Sequence, residues 1–474
     1  MTSTDIFSIL PLIILSASAI IIMLTIAVKR NHYVIFCFSL IGLCAAFFSL
    51  FNVPELIPYN LGTLLLIDNY TLFFWGLLFL SGILITLISF NALHISDENK
   101  EEYYILIFTA ILGSSVLVAS INFVTMFIGL EILSVSLYVL ISYLRKKEQS
   151  IEAGVKYLIL AAAASGFLLF GIALIYAEYG TMDFYKLSNA LSEISITPIA
   201  YAGMAFLIVG IGFKLAVVPF HMWTPDVYEG ASSPITAFIA TVSKGGMFAL
   251  LLRFFTIING YQYDKLMLIF GVIAVASMFA GNWLALFQLN VKRILAYSSI
   301  AHLGYLMVAF LAGGNLAAEA VAFYLTAYFI TTIGAFGVIS FLSNSEKEAS
   351  NIEDYKGLFW KHPWLSVTFT AMLLSLAGIP LTAGFIGKYY VLTAGVSNAL
   401  WGLVIVLVIN SAIGLYYYLR IIVQMFTKSD ENKEADYSFS YITGFSLVVL
   451  TFLLIILGTY PSGIIEIIKS MVTI

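Results

Sequence analysis

Fourteen stretches of this sequence, each about the length of a membrane-crossing helix, run nearly free of charge between short polar breaks. A helix needs about 20 mainly apolar residues to cross the hydrocarbon core of a bilayer. Read between charge and Pro/Gly breaks, the stretches lie near 7–28, 33–51, 70–93, 103–119, 121–143, 151–177, 197–221, 232–259, 266–288, 292–312, 317–342, 364–394, 398–426 and 440–460. The chain is 61% hydrophobic and only 10% charged, with a mean hydropathy of +1.01. An ordinary soluble domain is about a quarter charged, so this chain lacks the charge to cover a water-facing surface of its own size. Lipid must be its main solvent, and the expected fold class is an all-α membrane protein of about 14 transmembrane helices.

Orientation follows from where Lys and Arg fall. With the N-terminus outside, one side holds Lys29, Arg30, Lys100, Arg145, Lys146, Lys147, Lys292, Arg293, Lys347, Lys356, Lys361, Arg420, Lys428 and Lys433, and the other only Lys186, Arg253, Lys265 and Lys469. This asymmetry predicts a multi-pass membrane protein with both termini facing out, on the side opposite the cytoplasm. Asp5 sits where a signal peptide wants positive charge, and Lys29-Arg30 follow the first apolar run, so Pro11 to Val28 reads as a retained span. The polar stretches 343–363 and 427–437 read as cytoplasmic loops; 181–193 and the tail after Pro461 read as segments lying along the interface.

Several function classes drop out. The net charge of −4 carries no polybasic tract, which excludes nucleic acid as a partner. Cys37 and Cys44 are seven residues apart in one apolar segment, about 10 Å on a helix and too far for a disulfide. No Cys-x-x-Cys offers ligands to an iron–sulfur cluster, and no glycine fingerprint follows a strand. The chain is expected to carry no cofactor or metal of its own.

What remains is a set of charges inside the spans. Glu131 lies in the fifth, Lys156 in the sixth, Lys214 in the seventh, Lys244 in the eighth and Lys388 in the twelfth. A charge at the bilayer centre costs on the order of 3 kcal/mol, and intramembrane ionisable groups mark transport paths. Desolvation loosens an ammonium's hold on its proton and a nearby carboxylate restores it, so a Glu131–Lys214 pair would act as a switch. Lys156, a turn and a half into its helix, could instead reach the water layer. Pro219 and Pro380 each remove a backbone hydrogen bond near a lysine, which predicts discontinuous helices 7 and 12. Helices five apart cross in opposite directions, so this placement predicts two inverted five-helix repeats. The corresponding division is 1–102, 103–260 (helices 4–8), 261–427 (helices 9–13) and 428–474. His221, on the face of Lys214 if the break preserves the register, and His302, mid-span in the tenth helix, are possible auxiliary relays because imidazole titrates near neutrality.

"FKLAVVPFHMWTPDVYEGASSPITAFIATVSK" (213–244), "VKRILAYSSIAHLGYLM" (291–307) and "PLTAGFIGKYYV" (380–391) resemble signatures of the antiporter-like membrane subunits of respiratory complex I. Within that family, Lys388 and the form of the first stretch separate the chain from members with a histidine-rich stretch and a glutamate in helix 12. Its length separates it from members with an added lateral helix. The resemblance implies that Glu131, Lys214, Lys244 and Lys388 carry protons, with Lys156, His221 and His302 auxiliary. It implies work as a subunit of a translocase, NADH:quinone oxidoreductase, with NAD, FMN, iron–sulfur clusters and quinone held by partner subunits. A multi-subunit cation/proton antiporter would share these lysines and broken helices, and a scaffold subunit could hold an assembly together with the same charges.

Overall fold

The computed structural model describes residues 2–53, 56–94, 99–193, 197–343, 348–428 and 440–472; Lys347 and Lys433 of the orientation argument lie outside them. Thirteen helices among the described residues are long and apolar enough to cross a membrane. The first six spans are Leu10–Val28, His32–Ser49, Asn69–His94, Glu102–Ala119, Phe123–Ile141 and Glu148–Tyr179. The seventh comprises Pro198–Leu215 and, after a break, Trp223–Gly230. Ser233–Ile257 is the eighth, followed by Asp264–Leu286, Val291–Ala312 and Gly314–Leu342. Two shorter pieces, Pro363–Ala377 and Ala383–Ser397, together make the twelfth, before Trp401–Phe426 and Tyr441–Thr459. The chain is a multi-pass membrane protein with the fourteen crossings its hydropathy predicts.

Local chemistry starts and stops these helices. The side chains of Asn31, Asn122, Thr197, Asn290 and Ser440 accept bonds from the first-turn amides of their helices, groups that otherwise lack a partner. Pro198 and Pro363 open their helices, where a missing N–H costs nothing. Gly180 ends the sixth span at φ +65°. Two amphipathic helices, Phe184–Glu193 and Ser462–Met471, fall in the segments expected along the interface. The only sheet among the described residues is a hairpin, Tyr59–Leu61 against Leu65–Ile67.

The eighth, tenth and eleventh spans are buried along nearly their whole length, while the second, sixth and thirteenth expose broad apolar faces. A close backbone contact recurs five spans apart. A Cβ on Gly113 of the fourth span would sit 2.6 Å from the Leu133 amide of the fifth, and one on Gly281 of the ninth would sit 2.6 Å from the Ala301 amide of the tenth. Two five-helix units, each with its fourth helix broken, thus contribute these spans, and the buried eighth, tenth and eleventh helices belong to them.

Candidate functional site

The seventh span stops at Leu215 because Ala216 adopts φ +60°, three residues before Pro219. Two bonds tie the break to its surroundings: the Val218 N–H donates to Ser277 Oγ at 2.9 Å and the Trp223 indole N–H to the Phe213 carbonyl at 3.0 Å. Lys214 occupies the last turn of the first half, where the unpaired carbonyl end of a helix favours a cation. It is buried. Its Nζ donates to Ser134 Oγ at 2.9 Å and Tyr157 OH at 3.0 Å and lies 5.5 Å from the Tyr157 ring centre.

Glu131 stands one helical turn from Ser134, yet it accepts from Ser165 Oγ at 2.6 Å. The direct Glu131–Lys214 ion pair expected from the sequence is not formed, although the carboxylate acts on Lys214 through space. A cavity of about 10 Å³ touches Ser134, Ser165 and Lys214, room for about one water. His221 does not share a face with Lys214, because the break resets the register. It is buried in the linker, and its Nδ1 has no hydrogen-bond partner among the described residues.

The eighth span widens into a π-helical turn over Ile239–Ser243, and Lys244 begins the regular helix after it; such bulges frequently occur at functional positions. Buried Lys244 donates to Ser299 Oγ at 2.8 Å and lies 5.2 Å from the Tyr228 ring centre. Ser299 is a hub: Tyr228 OH, on the second half of the seventh span, reaches it at 3.3 Å and Tyr328 OH of the eleventh at 2.8 Å.

One turn beyond Ser299, buried His302 places Nδ1 2.6 Å from Tyr324 OH and Nε2 3.2 Å from Tyr418 OH, which bonds Ser298. With both ring nitrogens engaged, His302 is not disposed to bind a haem or metal. Among the described residues no group of three or more His, Cys, Asp or Glu could hold a metal ion.

The twelfth span breaks at Gly378 (φ +83°) and resumes after Leu381 (φ +73°). The break frees the Ala377 carbonyl, and buried Lys388 donates to it at 2.7 Å and to Ser411 Oγ at 2.8 Å. The ammonium is 5.2 Å from the Tyr305 ring centre. Tyr305 OH accepts from Asn282 Nδ2 at 2.8 Å, and Tyr417 OH donates to Asn282 Oδ1 at 3.0 Å. From Lys214 to Lys388 the buried centre therefore carries a series of ammonium, hydroxyl, imidazole and amide groups. Among the described residues, no direct hydrogen bond joins the Lys214–Tyr157 group to the Lys244–Ser299 group.

Lys156 departs from the buried set. Its side chain is 44% exposed and pairs with Glu152 at 2.7 Å and Asp226 at 2.8 Å. Arg293 joins the same cluster through Asp226 at 2.9 Å and Glu229 at 2.7 Å. The sixth span has 32 residues, more than a bilayer core needs, which leaves length for its first turns to extend into water. Two cations read from the sequence as helix-end charges are instead buried. Lys292 donates to the Ala231 and Glu229 carbonyls and pairs with Glu348 at 3.0 Å, and Arg253 pairs with Asp68 at 2.6 Å over the Tyr70 ring. Burial would raise the Glu348 carboxyl, but the Lys292 ammonium and the Ser233 hydrogen bonds outweigh it and hold it below its ordinary range.

A family model described as NADH:quinone oxidoreductase/Mrp antiporter, TM, matches residues 120–414, more than half of the chain. NADH-quinone oxidoreductase subunit N of Methylococcus capsulatus is 42% identical over 470 residues, covering 98% of this chain and 95% of that protein. A chain of respiratory complex I from Thermus thermophilus with bound aureothin superposes with a TM-score of 0.83 at 31% identity, covering 96% of this chain and 98% of that one. The archaeal membrane-bound sulfane sulfur reductase gives a TM-score of 0.86 at 24% identity, covering 98% of this chain and 96% of its own. The Mrp complex of Dietzia sp. gives 0.85 at 18%, covering 100% and 97%. These last two likenesses show the fold alone.

Proposed function

Because the chain belongs to the NADH:quinone oxidoreductase/Mrp antiporter membrane family, we propose that it is the subunit-N type of proton-translocating subunit in an NADH–quinone oxidoreductase. The near full-length match to a subunit N supports that type. In this reading the chain does no redox chemistry. Partner subunits hold NAD, FMN, iron–sulfur clusters and quinone, and this chain moves protons with the energy they release. It sits in a bacterial inner membrane with both termini on the periplasmic side, as its Lys and Arg distribution supports. Its units are 1–102, 103–260, 261–427 and 428–474.

One observation carries the proposal. Lys214, Lys244 and Lys388 are each buried beside an interruption of regular helix, and each ammonium rests on hydroxyl or carbonyl oxygens. Hydroxyl and imidazole groups both donate and accept, so Tyr157, Ser299, Tyr328, His302 and Tyr418 can pass a proton between these stations. Glu131 serves as the input: when its carboxylate swings from Ser165 toward Lys214, the ammonium is stabilised, and when it swings back the proton is released. Loading one lysine repels charge from the next, which drives discharge through Lys244 and His302 to Lys388. His221 and Lys156 stand at the edges of this path.

Isolation of the chain from native membranes with its neighbours tests the reading. The expected result is an assembly that oxidises NADH, reduces quinone and acidifies vesicles, and that loses acidification when the buried lysines are neutralised. Recovery of an assembly that exchanges cations for protons without NADH would overturn it.

A further inference from the structure

Traced through heavy atoms alone, a polar track joins His302 to Lys388. His302 Nε2 lies 3.2 Å from Tyr418 OH, and the adjoining Tyr417 rests its ring 4.4 Å from that of Tyr418. Tyr417 OH reaches Asn282 Oδ1 at 3.0 Å, and Asn282 Nδ2 reaches Tyr305 OH at 2.8 Å. The Tyr305 ring then faces the Lys388 ammonium at 5.2 Å. Hydroxyls on either side of Asn282 can both give and take a proton. The amide between them decides whether the track conducts.

Asn282 is buried on the ninth span, and acceptors fix the way it points. Its Nδ2 donates to the Met278 carbonyl, one turn back, at 2.9 Å. On the thirteenth span Asn410 gives its own Nδ2 to the Val406 carbonyl at 3.0 Å, which turns its Oδ1 to Asn282 Nδ2 at 3.4 Å. Flipping the Asn282 amide would set its oxygen against the Met278 carbonyl and Asn410 Oδ1, with no proton to share, and such unmet buried groups are costly. Residue 414 makes room for this pose by being glycine: a Cβ there would lie 3.0 Å from Asn282 Oδ1.

With the amide locked, the neighbouring hydroxyls have fixed roles. Tyr417 donates to Oδ1 and Tyr305 accepts from Nδ2. A hydroxyl relays by taking one proton, giving up another and turning. An amide nitrogen only donates and its oxygen only accepts, so Asn282 cannot turn its ends over to pass a proton from Tyr417 to Tyr305.

We propose that Asn282 is a positioning residue that closes this track: it holds Tyr305 against the Lys388 ammonium and separates it from the His302–Tyr418–Tyr417 branch. The proposal rests on the reading of His302 and Lys388 as successive proton stations. A conducting tie between them would let a proton on Lys388 run back to the imidazole; the amide supplies a tie of the same shape that does not conduct. Forward transfer is left to the other face of His302. There Tyr324 bonds Nδ1 at 2.6 Å, and a cavity of about 10 Å³ reaches Ser375 and Gly384 of the twelfth span.

The test uses the whole complex in proteoliposomes. Acidification by the wild type on NADH checks the underlying reading, and decay of the gradient after NADH is exhausted checks Asn282. N282D keeps the size of the side chain and makes it a carrier. Its carboxyl takes a proton from Tyr417 on one oxygen while releasing the proton on the other to Tyr305, and Tyr417 is refilled from Tyr418. Back-flow should rise about tenfold or more, since a placed proton carrier brings about 10²- to 10⁴-fold to a single transfer. N282L, similar in size but with nothing to carry, should not raise it, and N282D/Y305F, which lacks the receiving hydroxyl, should return it to the wild-type rate. N282H supplies another carrier if N282D fails to assemble, with the same expected rise. Wild-type back-flow in an assembled carrier variant overturns the proposal. So does an equal rise in N282L, which would trace the leak to loosened packing, or a leak that persists in N282D/Y305F.

Discussion

Replacing Lys244 with methionine keeps the length and apolar stem of the side chain and removes the ammonium. That ammonium makes one hydrogen bond, to Ser299 at 2.8 Å, and faces the Tyr228 ring at 5.2 Å; among the described residues no carboxylate pairs with it. Burying an ion costs several kcal/mol, and a hydrogen bond to a charged group returns about 1.5–3 kcal/mol. K244M should therefore leave assembly and thermal stability unchanged or slightly raised. Conduction should move the other way. A proton arriving at this point loses a landing site stabilised by about the same 1.5–3 kcal/mol, which at 1.36 kcal/mol per tenfold slows passage about 10- to 150-fold. The assay is the complex in proteoliposomes, with quinone reduction and lumen acidification followed together and a melting curve of the same sample. Full acidification by assembled K244M refutes the relay. Failure of K244M to assemble would show instead that the ammonium is a structural tie.

Three further outcomes follow from other parts of the structure. G378A should lower the melting temperature and impair acidification, because a Cβ at φ +83° would sit 2.7 Å from Lys388 Cδ and such backbone strain costs about 1–3 kcal/mol; wild-type behaviour in both assays would remove Gly378 from the lysine's support. E348Q should destabilise by about 3 kcal/mol, the low end for breaking a buried pair, since Lys292 is fully buried and Glu348 20% exposed. Because the Glu348 carboxyl is held below its ordinary value of 4.5, its contribution is present above that value and lost as pH falls below about 4.5. Melting curves at stepped pH check this, and an acid-induced loss that persists in E348Q would refute it. K156A should change stability by less than about 1 kcal/mol, as for other exposed ion pairs, and leave acidification near normal; a defect as large as that of K244M would return Lys156 to the proton path.

The crossings and their breaks were legible because each depends on local chemistry. Long apolar runs set the spans, and Pro219 and Pro380 marked the two interruptions near Lys214 and Lys388. The partners of those lysines were not legible. Ser134 and Tyr157 lie 80 and 57 residues from Lys214, and Ser299 lies 55 from Lys244; serine and tyrosine are common in membrane helices, so nothing local singles these out. Nor did spacing disclose the π-helical turn at Ile239–Ser243, which a tertiary environment must stabilise. Lys292 and Arg253 sat near helix ends, where a cation normally reaches water, and only the packing of distant Glu348 and Asp68 encloses them. Lys156 was legible in part: its place a turn and a half into the span already allowed it to reach water, and its side chain is exposed. The glutamate–lysine pair was inferred from charge alone, and Ser165 proved the nearer partner of Glu131.

Among the described residues, Lys244 and Lys388 lean on oxygens that bear no net charge. Dipoles damp a charge only at close range, whereas a counter-ion cancels it for distant observers as well. A unit charge seated there still contributes about 0.8 kcal/mol at 20 Å for an effective dielectric of 20, above thermal energy. Each of these positions is thus a voltage source for whatever protein lies alongside, and a message can leave this bundle as potential without any helix shifting.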